Sequence, residues 1–296
     1  MSAPLRAIAL LFAAQVFFNL LDATAKYLVR DFSIVAVTWA RYVFLLLFTA
    51  GWLVLSGERS ALREKPKHWG LQVARGLMLI AFSGCLIATL KYLPQAEAAA
   101  ISFVAPLAIL VLAGPLLGEH VRPARWVAVV CGLAGMLIVV RPGAGLSGIG
   151  VAFAIGTLVT NAGFQLLTRK LAHLDSPYTT ALLSALIGTV VTTAALPLAP
   201  PDHWPSAWQA LLFASFGITG TASHLLLIRA YRLAPVSFLA PFIYNHIVLA
   251  TVAGLVFFGQ FPDAVSLAGI AIILASGAGI ALYERKRPLP AAAATG

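Results

Sequence analysis

The feature that most constrains this chain is the recurrence, along nearly its whole length, of apolar runs long enough to cross a lipid bilayer. They lie at about Leu5 to Val29, Ile34 to Leu55, Trp69 to Leu93, Ala96 to Leu116 and Pro123 to Arg141. A second group follows at about Gly148 to Ala172, Pro177 to Leu198, Ala207 to Leu233, Pro235 to Phe258 and Ala264 to Glu284. A spanning helix needs about 20 such residues. The runs are continuous rather than alternating, which selects helices over barrel strands. Pro123, Pro177 and Pro235 fall at first helical turns, where a missing amide hydrogen is tolerated. Composition closes off the soluble alternative. Of 296 residues 60% are hydrophobic and 10% charged, whereas soluble domains carry about 25% charged residues. Ten spans consume the chain, so no soluble catalytic domain is expected. The first span is too long and too polar for a signal-peptide core and is read as retained. Cys85 and Cys131 both sit inside apolar runs and suggest neither a disulfide framework nor a metal site.

The net charge of +10 reads as topology. With the N-terminus in the cytoplasm, the inner segments and span ends hold 14 basic residues: Arg6, Arg59, Arg63, Lys65, Lys67, Arg122, Arg125, Arg169, Lys170, Arg229, Arg232, Arg285, Lys286 and Arg287. The outer set holds 4, namely Lys26, Arg30, Lys91 and Arg141, and Arg41 and Arg75 lie within spans. This bias predicts both termini in the cytoplasm. It also makes a nucleic-acid partner unnecessary.

The chain superposes on itself with a shift of 141 residues, which places Gly76 on Gly217, Pro94 on Pro235 and Gly118 on Gly259. A shift of 142 places Asn19 on Asn161. Each half holds five spans with similar loops, and because five is odd the second unit must insert in the opposite sense. The predicted organisation is a first five-helix unit over residues 1–146, an inverted second unit over 147–284, and a cytoplasmic tail over 285–296. Inverted repeats are a common architecture of secondary transporters, with the cargo site near mid-membrane where the repeats meet.

Several motifs then carry a family resemblance. Tyr92-Leu93-Pro94 leads into Ala105-Pro106-Leu107 and Gly118-Glu119; Ala234-Pro235-Val236-Ser237 leads into Ala240-Pro241-Phe242, Gly259 and Ser276-Gly277. Asp22 with Lys26-Tyr27-Leu28, and Arg41-Tyr42, belong to the same pattern. Across nearly its whole length the chain resembles the ten-helix, EamA-type branch of the drug/metabolite transporter superfamily. It departs at Gln260, where the pattern usually carries Glu. The resemblance implies an all-α membrane protein that exports amino acids or similar small metabolites across a bacterial inner membrane, with S-adenosylmethionine as a relative's cargo.

Ionisable and strongly polar residues are costly at membrane depth, by about 2.5 to 3.5 kcal/mol on insertion scales for charged groups, and therefore face an interior. Gln15, Asn19, Asp22 and Lys26, spaced by four, three and four, form one helical stripe. Asp22 can pair with Lys26 four residues on or with Arg41 of the second span, and Glu97 opens the fourth span on the same side. Asp22, Lys26, Arg41 and Glu97 are thus the candidate gate or ion pair. Asn161 and Gln165 form the matching stripe of the second half, with Thr157 and Thr168 beside them. His224, Tyr244, Asn245 and His246 complete the candidate cargo-site set with Gln15, Asn19, Asn161 and Gln165. Arg75 is expected to have a structural role, with a side chain long enough to snorkel to head groups. The glycines at Gly132, Gly135, Gly269 and Gly277 are expected to be close-packing surfaces.

The leading expectation is an alternating-access exporter of a small zwitterion such as an amino acid. The alternative is S-adenosylmethionine or another nucleoside-like metabolite, with Trp39, Tyr92 or Tyr244 stacking on its base. No metalloprotease, paired-aspartate or serine-hydrolase motif is present, so no enzyme is expected; a channel or structural protein is the reading from another class. No cofactor and no metal are called for, the partners are a small-molecule cargo and the bilayer, and an oligomer is not required. Asp22 or His246 are the candidate proton carriers, should transport be proton-coupled.

Overall fold

A computed structural model describes residues 3–55, 57, 65–105, 107, 123–141, 146–171, 174–175, 177–201, 203–234, 239 and 242–285. Among them it contains ten α-helices and no strand. The first set is α1 (Ala3–Leu28), α2 (Ile34–Leu55), α3 (Trp69–Tyr92), α4 (Gln95–Ser102) and α5 (Pro123–Val140). The second is α6 (Gly148–Leu171), α7 (Pro177–Ala195, continued by a 3-10 turn Leu196–Leu198), α8 (Ala207–Leu233), α9 (Asn245–Phe258) and α10 (Ala264–Arg285). Among the described residues, six of these are long and apolar enough to cross a membrane. Eight of the ten begin and end within about three residues of the bounds that hydropathy predicts.

The two exceptions share one cause. The fourth span breaks at Phe103 and Val104, which form a turn after Ser102, and the ninth breaks at Tyr244, so that α9 begins at Asn245 rather than at Pro235. Hydropathy does not register such a break, because apolar residues continue through it. The Gly118-Glu119, Pro235-Val236-Ser237 and Ala240-Pro241 motifs, Pro106, the residues 108–116 that would complete the fourth span, the basic residues Arg59, Arg63 and Arg122, and the tail beyond Arg285 lie outside the described residues.

Helix pairing is reciprocal between the two sets. The first helix of each set packs on the third of the other, α1 on α8 and α6 on α3. Second pairs with third, α2 with α8 and α7 with α3, and first pairs with fourth, α1 with α9 and α6 with α4. Like meets like in α2 with α7, α4 with α9 and α5 with α10. Small residues set the closest of these contacts. A Cβ on Gly76 of α3 would meet Ile187 of α7 at 3.0 Å, and one on Gly217 of α8 would run into the Phe48 ring of α2. These two glycines are 141 residues apart, and each receives a side chain from the second helix of the other set. Gly135 and Gly269 bring α5 and α10 together backbone to backbone, since a Cβ on either would lie 2.7 to 2.8 Å from the other's carbonyl oxygen.

Among the described residues, the largest core cluster joins every helix but α7, with Leu28, Val37, Ile87, Ile101 and Ile247 fully buried. It surrounds the turns at Phe103 and Tyr244, where the polar groups gather.

Candidate functional site

The breaks in the fourth and ninth spans are 141 residues apart, the same offset that superposes the two halves. The two residues at the breaks touch: the Phe103 and Tyr244 rings meet edge to face, with centroids 6.0 Å apart and an interplanar angle of 62°. Phe103 also stacks on His246, at 5.0 Å and 20°. A broken helix frees carbonyl groups that lipid cannot satisfy. Gln15 of α1 answers this directly, its Nε2 donating to Phe242 O at 2.9 Å and Ile243 O at 3.0 Å.

One turn along the same stripe, Asn19 Nδ2 donates to Gln15 O at 3.1 Å and lies 3.0 Å from His246 Nδ1. With Nδ1 accepting, the ring proton resides on Nε2. That nitrogen is 3.7 Å from Asp22 Oδ2, and Asp22 Oδ1 is 3.8 Å from Arg41 Nη1. Gln95 of α4 donates to Asn19 O at 3.4 Å. Four polar atoms of this group are buried with no hydrogen-bond partner: Gln15 Oε1, Asn19 Oδ1, Gln95 Oε1 and Arg41 Nη1. Buried polar groups normally find partners, so three unused acceptors and one unused cationic donor gathered in a single cluster make it the candidate site.

The structure divides the predicted charge cluster in two. Asp22 pairs with Arg41 and faces His246, but the Asp22–Lys26 pair does not form. Lys26 instead turns to the end of α3, donating to Leu90 O at 3.0 Å and Leu93 O at 2.5 Å, with its ammonium 5.4 Å from the Phe258 ring centroid. The last carbonyls of a helix have no partner within it and carry its negative pole, which suits a cation. Glu97 is buried nearby with Oε2 unpartnered.

On α6, Gln165 Nε2 donates to Asn161 Oδ1 at 3.0 Å, so that stripe forms as a local pair. His224 of α8 is exposed in mid-helix, its ring edge-on to Phe18 of α1 at 5.2 Å, within electrostatic reach of Arg41 and Arg75. Asn245 opens α9 between Tyr244 and His246.

Arg75 takes up an interhelical place rather than snorkelling. It is buried, with Nε donating to Thr168 Oγ1 at 2.7 Å, Nη1 bonded to Ser184 Oγ, and the guanidinium 4.7 Å from the Phe164 ring centroid. Hydroxyls on α6 and α7 offer an arginine on α3 more than lipid head groups would. Trp39 donates its indole N–H to Thr193 Oγ1 at 2.9 Å, and Tyr92 stacks on Phe153 at 6.2 Å; of the three predicted stacking residues only Tyr244 stands in the cluster. Phe103 and Gln95 went unnoticed in the sequence. The 141-residue offset, which carries Phe103 onto Tyr244, is the signal that finds the first.

Two copies of the EamA-like transporter family model match the chain, at residues 5–141 and 148–282. The chain belongs to this family. EamA-like proteins form part of the drug/metabolite transporter superfamily, multi-pass membrane transporters rather than enzymes. A protein of Rickettsia conorii named S-adenosylmethionine uptake transporter is 25% identical over 267 residues, covering 90% of this chain and 88% of that one. A riboflavin transporter of Vibrio cholerae is 28% identical over 290 residues, covering 96% and 95%. A solved crystal structure superposes with a TM-score of 0.65 at 22% identity, covering 95% of this chain and 98% of that chain.

Proposed function

We propose that this EamA-like protein is an alternating-access carrier of small zwitterionic metabolites of the amino-acid class in a bacterial inner membrane. In this reading residues 1–146 and 147–284 are inverted five-helix repeats, both termini are cytoplasmic, and the repeats rock around the Phe103–Tyr244 contact. The reciprocal helix pairing and the two matches to one family model support the duplication. The excess of basic residues on one side supports the orientation. Such a carrier runs in either direction with its gradients, so one machine serves export or uptake.

The observation that carries the cargo assignment is the set of unpartnered atoms. An ammonium group donates three hydrogen bonds and a carboxylate only accepts. Gln15 Oε1, Asn19 Oδ1 and Gln95 Oε1 are acceptors for the first, and Arg41 Nη1 is a donor for the second. The Phe103, Tyr244 and His246 rings beside them favour cargo with a flat ring. S-adenosylmethionine joins both chemistries in one molecule, and the named function of the Rickettsia relative favours it as a second reading.

Counterflow into proteoliposomes tests both. Labelled amino acids, S-adenosylmethionine and riboflavin are each offered against their unlabelled forms. Exchange of the zwitterions is expected, weakened in Arg41→Met and Gln95→Leu. Riboflavin exchange with none of the zwitterions would overturn the assignment.

A further inference from the structure

Two hydrogen bonds far from the cargo cluster are copies of one another. Gln72, in the first turn of α3, donates through Nε2 to Asp175 Oδ2 at 2.8 Å, in the connection between α6 and α7. Gln209, in the first turn of α8, donates through Nε2 to Asp31 Oδ2 at 2.9 Å, in the connection between α1 and α2. In each case the third helix of one set ties its start to the first helix-to-helix connection of the other set. Because the helices alternate in direction, the two bonds lie at opposite ends of the bundle. Neither residue pair belongs to the stripes that sequence patterning singles out.

We propose that Gln72–Asp175 and Gln209–Asp31 are the two latches of the transport cycle, the first closing the cytoplasmic end and the second the outer end. This rests on the alternating-access reading. Opening either end must draw a third helix away from the opposite half, and each latch spans that boundary where the helix begins, at the point of largest excursion. A carrier that opened both ends together would leak, so one latch holds while the other parts.

The latches are built with unequal strength. Gln72 is fully buried and donates a second bond to Thr180 Oγ1 at 2.9 Å, and Asp175 also accepts from Lys67 N at 3.0 Å. The outer pair is more open to solvent, since Asp31 is exposed and Gln209 half-buried. Gln209 already serves the capping box of α8, where its Oε1 accepts from Ser206 N at 2.9 Å. The outer end is therefore the one that opens more readily, and the protein rests facing outward more than inward.

This double use of Gln209 supplies the test. Glu at the third position of a capping box caps as Gln does, so Gln209→Glu keeps the helix start but sets a carboxylate against Asp31. Adding Asp31→Asn restores a donor and an acceptor. Gln72→Glu, with Gln72→Met as a neutral version should the charge prevent insertion, breaks the other latch. The readout is labelling by a membrane-impermeant maleimide, from each face of oriented proteoliposomes, of His224→Cys in a Cys85→Ala/Cys131→Ala background.

Gln209→Glu is expected to raise outer-face labelling about fivefold, the population change that one lost hydrogen bond produces, and to lower labelling from the inner face. The Gln72 variants are expected to do the reverse, and Gln209→Glu/Asp31→Asn to return to the parent pattern. Changes of the same sign at both faces, which general loosening would cause, overturn the proposal, as does no change in either. Labelling needs no cargo, so shifted labelling with no exchanged zwitterion would sink the cargo assignment and leave the latches standing.

Discussion

Asp22 stands between two nitrogen groups without closing on either: its Oδ2 is 3.7 Å from His246 Nε2, and its Oδ1 is 3.8 Å from Arg41 Nη1. Both separations exceed a hydrogen bond, yet the side chains are only 12 to 15% exposed. A carboxylate held at this remove balances the charge of Arg41 while leaving its donors available to a second anion. Asp22→Asn is therefore expected to destabilise the protein by about 3 kcal/mol, the low end of the cost of stranding one partner of a buried pair. Asp22→Asn/Arg41→Met should recover most of that loss, and thermal unfolding in detergent measures both. Equal losses in single and double variants would deny the coupling.

Lys26 lies on the Asp22 stripe but acts elsewhere. Its bonds to Leu90 O and Leu93 O tie α1 to the end of α3. Lys26→Met is expected to cost about 3 kcal/mol or more, since hydrogen bonds to charged groups are worth about 1.5 to 3 kcal/mol each and two are lost, while the methionine retains the stem's packing. Its loss should add to that of Asp22→Asn rather than overlap with it. A double-mutant cycle on unfolding free energies shows which holds.

Two glycines of α10, two residues apart, give opposite expectations. A Cβ on Gly277 would enter the Tyr244 ring, whereas one on Gly279 has nothing within 4 Å. Gly277→Ala should destabilise by about 1 to 3 kcal/mol through overpacking, and it should also displace Tyr244 from Phe103 and weaken cargo exchange. Gly279→Ala should be neutral or stabilising by up to about 1 kcal/mol, as alanine is the better helix former. Melting temperatures and counterflow on both variants check the contrast.

Asp263, in the loop before α10, gives a pH prediction. Arg141 Nη2 lies 2.5 Å from its Oδ2, and Ser266 N donates to its Oδ1 at 2.7 Å. The Arg141 bond first, then the backbone N–H, hold this carboxyl down at about 2, below its ordinary 3.8. A folded value below the unfolded one means that the contribution is complete above the ordinary carboxylate range and is lost as pH falls through about 2. Asp263→Asn should melt lower than the parent at pH 6, and the gap should close toward pH 2. A gap independent of pH would show that the charge contributes nothing.

Hydropathy and length made the spans legible because a bilayer demands about 20 apolar residues of each helix. Helical period placed Gln15, Asn19 and Asp22 on one face, and the structure puts all three around the break before α9. The same period misassigned Lys26. Spacing fixes which face a residue shares, whereas the carbonyls that Lys26 reaches come from 64 and 67 residues away. The partners of Arg75 were illegible for a similar reason: its hydroxyl acceptors lie on α6 and α7, and nothing near it in sequence announces them. Phe103 looks like any apolar residue of a span, and only the repeat offset distinguishes it.

The backbone contact between Gly135 and Gly269 has a mechanical consequence. Ile272 and Ile273 of α10 crowd the Cβ position of Gly135, and Val139 of α5 crowds that of Gly269, so neighbouring side chains close in around the bare backbones. The last helices of the two halves thus meet as a keyed seam, whose fit depends on both glycines staying bare.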